Sequence, residues 1–226
     1  MTGSGRARDW LQHRAGWSRP TEELVRTAAE AFTLQGWHVL RTADFDEARA
    51  HLDELVAAGM SVIVHESRAW ESLGLEIVLR ARGVRVERFG PSGAEGDRAS
   101  LTGADVGVTG ATALVAETGT VLLAADEAYG QLVSNLPYTH VVVAPWFKVV
   151  PTWDDGLWLA RRYAERALGR AVPRYLAGIS GPSRTGDVEF TIVEGMHGPG
   201  RVHLILLDVE PGPEMLGDLP ADLLCP

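Results

Sequence analysis

Two blocks of small and hydroxyl-bearing residues carry the chemistry open to this chain. The first reads Thr109-Gly-Ala-Thr-Ala-Leu-Val-Ala-Glu-Thr-Gly-Thr-Val-Leu-Leu123, the second Ile179-Ser-Gly-Pro-Ser-Arg-Thr-Gly-Asp-Val-Glu189. A third, Gly195-Met-His-Gly-Pro-Gly200, precedes an apolar run from Val202 to Leu207. Such residues make poor helix interiors but allow close backbone approach and supply side-chain oxygens. Three of them within one stretch predict a polar cleft at strand ends, where any one alone would predict only a turn.

In the second block, Ser180, Gly181, Ser183, Thr185 and Gly186 could offer hydroxyls and free N–H groups to a carboxylate or phosphate. Arg184 adds charge, and Asp187 can cap the segment beyond it. The plainer reading is an Asp-capped connection with no ligand. It is not a P-loop, because the Gly-Lys-Ser/Thr ending is missing.

Glu117 follows an apolar run and precedes Thr118, Gly119 and Thr120, so it is expected at a sheet rim. There it is a candidate nucleophile or base, or a hydrogen-bonded turn acid. His140, His197 and His203 complete the candidates for a ligand-binding set. None has the helical spacing of a metal site, so no metal is expected. His203 opens an apolar strand and also suits a packed core position. His197 lies between Gly195 and Gly198, which free the backbone around it. Ser183, His197 and Asp187 hold the ingredients of a triad but lack a nucleophile-elbow sequence. Trp146, Phe147, Trp153 and Trp158 suit either an aromatic wall or core and interface packing.

These residues need a frame, and the sequence indicates one. The 226 residues are 46% apolar and 23% charged, an ordinary globular balance. A net charge of −9 with dispersed arginines argues against nucleic acid and anionic membrane as partners. The one cysteine, Cys225, cannot form an internal disulfide or hold an iron–sulfur cluster. No apolar run reaches membrane-spanning length and no signal core opens the chain, so a cytoplasmic protein is expected.

Residues 1–20 read as a flexible arm, 21–210 as an α/β domain and 211–226 as a tail. Thr21 caps a helix with Leu24, Val25, Ala28 and Phe32 on one stripe, ending at Gly36. A strand follows over 37–41. A second helix starts with a capping-box pattern at Asp44 and Glu47 and stops at Gly59. Strands are expected over 61–65 and 84–88, with a helix over 73–82 between them, then a surface loop over 91–98. Further strands fall at 105–108, 113–116, 120–124, 140–144 and 175–179; the second and third are close enough for a hairpin. Thr152 caps a long helix whose Leu157, Ala160, Ala164, Ala167 and Leu168 should face inward. The sum is a single-domain open mixed sheet with helices on both faces. The tryptophans and the N-terminal arm allow a homodimer.

The ordered set Thr109-Gly, Ala116-Glu-Thr-Gly-Thr120, Leu136-Pro137 with His140, Ile179 to Glu189, and Gly195-Met-His-Gly-Pro199 followed by His203 resembles the LUD domain. More narrowly, it is similar to the lactate-utilization protein C family. The likeness is dense over 101–208 and looser back to about residue 21. It implies a fold like the NagB/RpiA/CoA-transferase group. It also implies a part in oxidising L-lactate to pyruvate, beside two companion proteins that carry iron–sulfur clusters, with no cofactor held by this chain. Relatives of the wider fold attack CoA thioesters through a glutamate, which would make Glu117 the nucleophile of an acyl- or CoA-transferring or sugar-phosphate-handling enzyme. A module sensing a small carboxylate is the remaining alternative.

Overall fold

A computed structural model describes residues 20–65, 68–90, 93–94, 98–126, 128–186 and 192–209. Nearly all of the expected arm, the tail with Cys225, most of the 91–98 loop, and Asp187 lie outside those residues.

The first helix, α1 (Glu22–Leu34), starts where the Thr21 side chain accepts from the Leu24 amide, and it buries Val25, Ala28 and Phe32. Strand β1 (His38–Thr42) leads to α2 (Phe45–Leu55), capped by Asp44. The expected capping box does not close there. Glu47 instead accepts from the Thr42 hydroxyl, tying the helix to the strand before it.

After β2 (Ser61–His65), the single helix expected over 73–82 is two short ones, α3 (Arg68–Leu73) and α4 (Leu75–Ala81), divided at Gly74. Then come β3 (Arg85–Gly90), β4 (Gly93–Ala94), α5 (Arg98–Thr102) and β5 (Val106–Thr109). Strands β6 (Ala113–Val115) and β7 (Thr120–Ala125) pair antiparallel as the expected hairpin. A helix the sequence did not announce, α6 (Tyr129–Asn135), precedes β8 (Thr139–Pro145). A 3-10 turn (Trp146–Lys148) and β9 (Val149–Val150) lead to α7 (Trp153–Ala167). Strands β10 (Tyr175–Ile179), β11 (Arg184–Gly186), β12 (Ile192–Glu194) and β13 (Arg201–Leu207) complete the described elements.

The main sheet runs β1-β13-β8-β5-β2-β3-β4, parallel throughout except for β4. Its middle strands are buried along nearly their whole length, which explains their unbroken apolar sequence. Ile63 packs with Leu101 of α5 and Val133 of α6 on one face, while Val62 and Val64 join Trp70, Leu73 and Leu79 on the other. The α/β class with helices on both faces is therefore observed.

A second sheet, β10-β7-β6-β9, was not expected. Helix α7 packs on it so closely that a methyl at Gly156 would lie 2.6 Å from Leu122 Cδ1. The inward face of α7 also differs from expectation: Trp158, Leu159, Ala160 and Ala164 are buried, but Leu157 only half, and Ala167 is exposed. Of the aromatic group, Trp146, Phe147 and Trp158 are core residues, and Trp153 is 37% exposed.

Candidate functional site

The register of the second sheet brings the first two blocks together. Ile179 of β10 lies opposite Val121 of β7, so the next residue on one strand falls beside the preceding residue on the other. Ser180 and Thr120 are those residues, and their hydroxyl oxygens are 2.7 Å apart. The Thr118 hydroxyl donates to Thr120 Oγ1 at 2.8 Å, extending the contact into a ladder of three hydroxyls. Both turns press on the last turn of α1. Gly119 has φ +60°, and a methyl there would sit 2.6 Å from the Ala31 carbonyl oxygen; at Gly181, φ +107°, the clash with the Gln35 oxygen would be 2.2 Å. Only glycine satisfies both the left-handed backbone and the contact.

The third block joins from the other side. Ser183 donates its amide to the Pro199 oxygen at 2.8 Å and accepts at its carbonyl from the Gly195 amide at 3.0 Å. Its hydroxyl accepts from the His197 main-chain amide at 3.2 Å. The imidazole of His197 is not the contacting group, and the residue is exposed, so Ser183 and His197 meet as parts of a turn rather than of a triad. Beneath lies Tyr138, whose ring would be 2.4 Å from a methyl at Gly200 and which carries the Arg201 guanidinium 5.8 Å from its centre.

Glu117 stands at the margin of this cluster. It is exposed, and its Oε2 accepts from the Trp153 amide at 3.0 Å, while its own amide donates to the Pro151 oxygen. The carboxylate thus serves the first turn of α7, beside the Thr152–Asp155 capping box. A negative group at a helix start is stabilising.

The segment that Asp187 was expected to cap lies outside the described residues. Arg184–Gly186 is a strand paired with β12, and the helix end facing the loop is the carbonyl end of α1. That end carries partial negative charge, so an anion there would rely on Arg184 and on loop amides rather than on a helix dipole. The strand ends concerned are also the amino ends, since His38, Thr139 and Arg201 begin their strands on this side.

His140 and His203 are not part of the cluster. Val202 lies opposite His140 and His203 opposite Val141, so the two imidazoles point to opposite faces of the main sheet. His140 is fully buried with Nε2 2.9 Å from the Thr109 hydroxyl, and desolvation pushes its pKa down to about 3. His203 stacks on His38 at 4.7 Å and lies 5.4 Å from His51. Burial, then the neighbouring His38, His51 and Arg201, lower its pKa to about 4.

Gln35, whose backbone receives the Gly181 turn, is marked in the sequence only by the Gly36 stop signal beside it. His65, which carries no motif in the sequence, ends β2 beside β5, where the chain reverses its direction of travel across the sheet. Such a point is where open α/β sheets often take ligands. The His65 ring packs there against Gly130 of α6.

A mostly parallel open sheet backed by a second antiparallel layer, with polar turns gathered at one helix end, defines an α/β domain of the open-sheet class. The family model described as the LUD domain matches residues 25–207, and the chain belongs to that family. Lactate utilization protein C of Halalkalibacterium halodurans is 28% identical over 193 residues, covering 83% of this chain and 80% of that protein. Lactate utilization protein B of Shouchella clausii is 33% identical over 49% of this chain, and the match spans 22% of its own length. The crystal structure of a DUF162 family protein from Deinococcus radiodurans has a TM-score of 0.54, covering 84% of this chain and 99% of that one. At 20% identity that likeness shows the fold.

Proposed function

We propose that this chain takes part in lactate utilization as a cytoplasmic subunit without a cluster of its own, beside iron–sulfur proteins that oxidise L-lactate to pyruvate. The names of the relatives support a lactate role, and the relative from Halalkalibacterium halodurans aligns over most of both chains. With one cysteine in its sequence, the chain lacks the thiolates that a cluster takes. Among the described residues no group of three His, Cys, Asp or Glu is arranged to hold a metal ion. Electrons would therefore pass through the companions, and this chain would contribute recognition or assembly.

The observation that carries a site for that recognition is the Thr120–Ser180 contact. It joins segments far apart in the chain around the buried Thr120 hydroxyl, with the half-buried Thr118 and the exposed Ser180 reaching the surface and the Ser183–Pro199 turn alongside. Hydroxyls and amides in that arrangement suit a small carboxylate or the loop of a companion protein. The set Thr118, Gly119, Thr120, Ser180, Gly181, Ser183 and Thr185 is proposed for this role, with His197 at its rim.

Deletion of the gene followed by growth on L-lactate tests the reading. Loss of growth restored by the wild-type gene, but not by a folded Thr120→Val/Ser180→Ala variant, is expected. Normal growth of the deletion strain with unchanged lactate oxidation overturns it. Thermal shifts with L-lactate, pyruvate, phosphate and CoA separate ligand binding from assembly, since a ligand that prefers the folded state raises the midpoint.

A further inference from the structure

The edge of the main sheet formed by β1 is the strongest unassigned surface. Among the described residues strand β1 pairs only with β13, and no ladder closes on its other side. The Thr42 carbonyl accepts from the Asp208 amide, so the backbone groups of His38, Leu40 and Thr42 face β13. Alternation then turns the N–H and C=O groups of Val39 and Arg41 outward. Among the described residues none of these four groups has a hydrogen-bond partner. A free edge of this kind is a template for another strand.

Beside the edge runs a groove of about 520 Å³ between β1 and the outer side of α1. Ala29, Leu34 and Val39 form its apolar lining, and Leu34, at 87%, is the most exposed large apolar side chain among the described residues. Its charges are already matched. Arg26 pairs with Glu30 at 2.6 Å, and Arg41 holds Glu22 and Asp208, each at 2.6 Å. A wall carrying equal cation and anion along one helix is self-complementary under a two-fold rotation, because Arg26 of one copy can face Glu30 of the other.

The geometry points to a second copy of this chain as the occupant, paired antiparallel through β1 about an axis at Leu40. Val39 of each copy then lies opposite Arg41 of its partner, and all four outward backbone groups are satisfied at once. The main sheets of the two copies become continuous. Leu34 and Val39 of the partner fill the groove, which covers the exposed leucine. A foreign peptide strand would satisfy the backbone equally well, but the matched charges of α1 favour a like surface.

Sedimentation of the full-length chain, with hydrogen exchange at the amides of Val39 and Arg41, tests this. The wild type is expected at twice the chain mass, with both amides protected. Leu34→Glu sets like charges across the axis at an exposed position, and Val39→Pro removes an outward N–H that no internal ladder uses. Each is expected to halve the mass and leave the circular dichroism and melting of the fold in place; Leu34→Glu is also expected to expose the Val39 and Arg41 amides to exchange. A monomeric wild type overturns the inference, as does a dimer whose mass neither variant changes. Protection of Val39 and Arg41 in a monomer also overturns it, because the chain itself would then cover the edge.

Discussion

The hydroxyl of Thr120, 1% exposed, meets that of the exposed Ser180 across the pairing of β7 and β10, and this contact joins two loops distant in sequence. A neutral hydrogen bond of this kind contributes about 1 kcal/mol net. A double-mutant cycle of Thr120→Val and Ser180→Ala should give a coupling energy of roughly that size in urea unfolding. A coupling near zero would mean that the two turns are held together by the glycine contacts alone.

Those contacts should cost more. Gly119→Ala must adopt a left-handed backbone and also displace the Ala31 carbonyl, whereas Gly59, with φ +86°, has nothing within 4 Å of an added methyl. Gly59→Ala should therefore cost about 1 kcal/mol, the strain alone, and Gly119→Ala at least twice that. Denaturant midpoints of the two variants decide the ratio. Equal losses would show that the α1 carbonyls move aside freely.

Acid should weaken the fold through its buried imidazoles. His140 and His203 have pKa values lowered to about 3 and about 4, from 6.5 in the unfolded chain. Below 6.5 the unfolded chain binds protons that the folded one refuses. The contribution is therefore complete above pH 6.5 and is lost as pH falls toward 4 and then 3, at up to about 1.4 kcal/mol per pH unit for each group. Urea midpoints from pH 8 to pH 5 should fall below pH 6.5, and a His203→Gln variant should show a shallower decline. An unchanged slope in that variant would place the acid sensitivity elsewhere.

Glu117→Gln keeps an oxygen that can accept from the Trp153 amide, so its stability should drop by less than about 1 kcal/mol. Glu117→Ala removes the acceptor and should lose about 1 kcal/mol. If the residue works as a helix acceptor, Glu117→Gln also supports normal growth on L-lactate. An adduct at Glu117 after mixing the wild type with acyl-CoA, detected by mass, would support the nucleophile reading.

Local signals in the sequence were informative wherever one residue performs a local task. Thr21 and Thr152 cap their helices, and the Glu117-Thr-Gly tip makes its hairpin. Helix α6 escaped notice because Ala128 at its start makes no side-chain cap and the segment is short. The second sheet was hidden for another reason. β10 is a largely exposed edge strand, and its partner β7 lies far back in the chain, so nothing local marks the pairing. The same limit separated the histidines. His140 and His203 look alike in sequence, and only the β8–β13 register sends them to opposite faces.

Arg41 reaches Glu22 in the opening turn of α1 and Asp208 just beyond β13, so one side chain spans the entrance and the exit of the core. Entry and departure thus share a corner, and a short peptide bridge between residues 20 and 209 would close the described domain into a ring. New ends cut at the exposed Gly169–Arg170 turn would then yield a circular permutant with the same sheets.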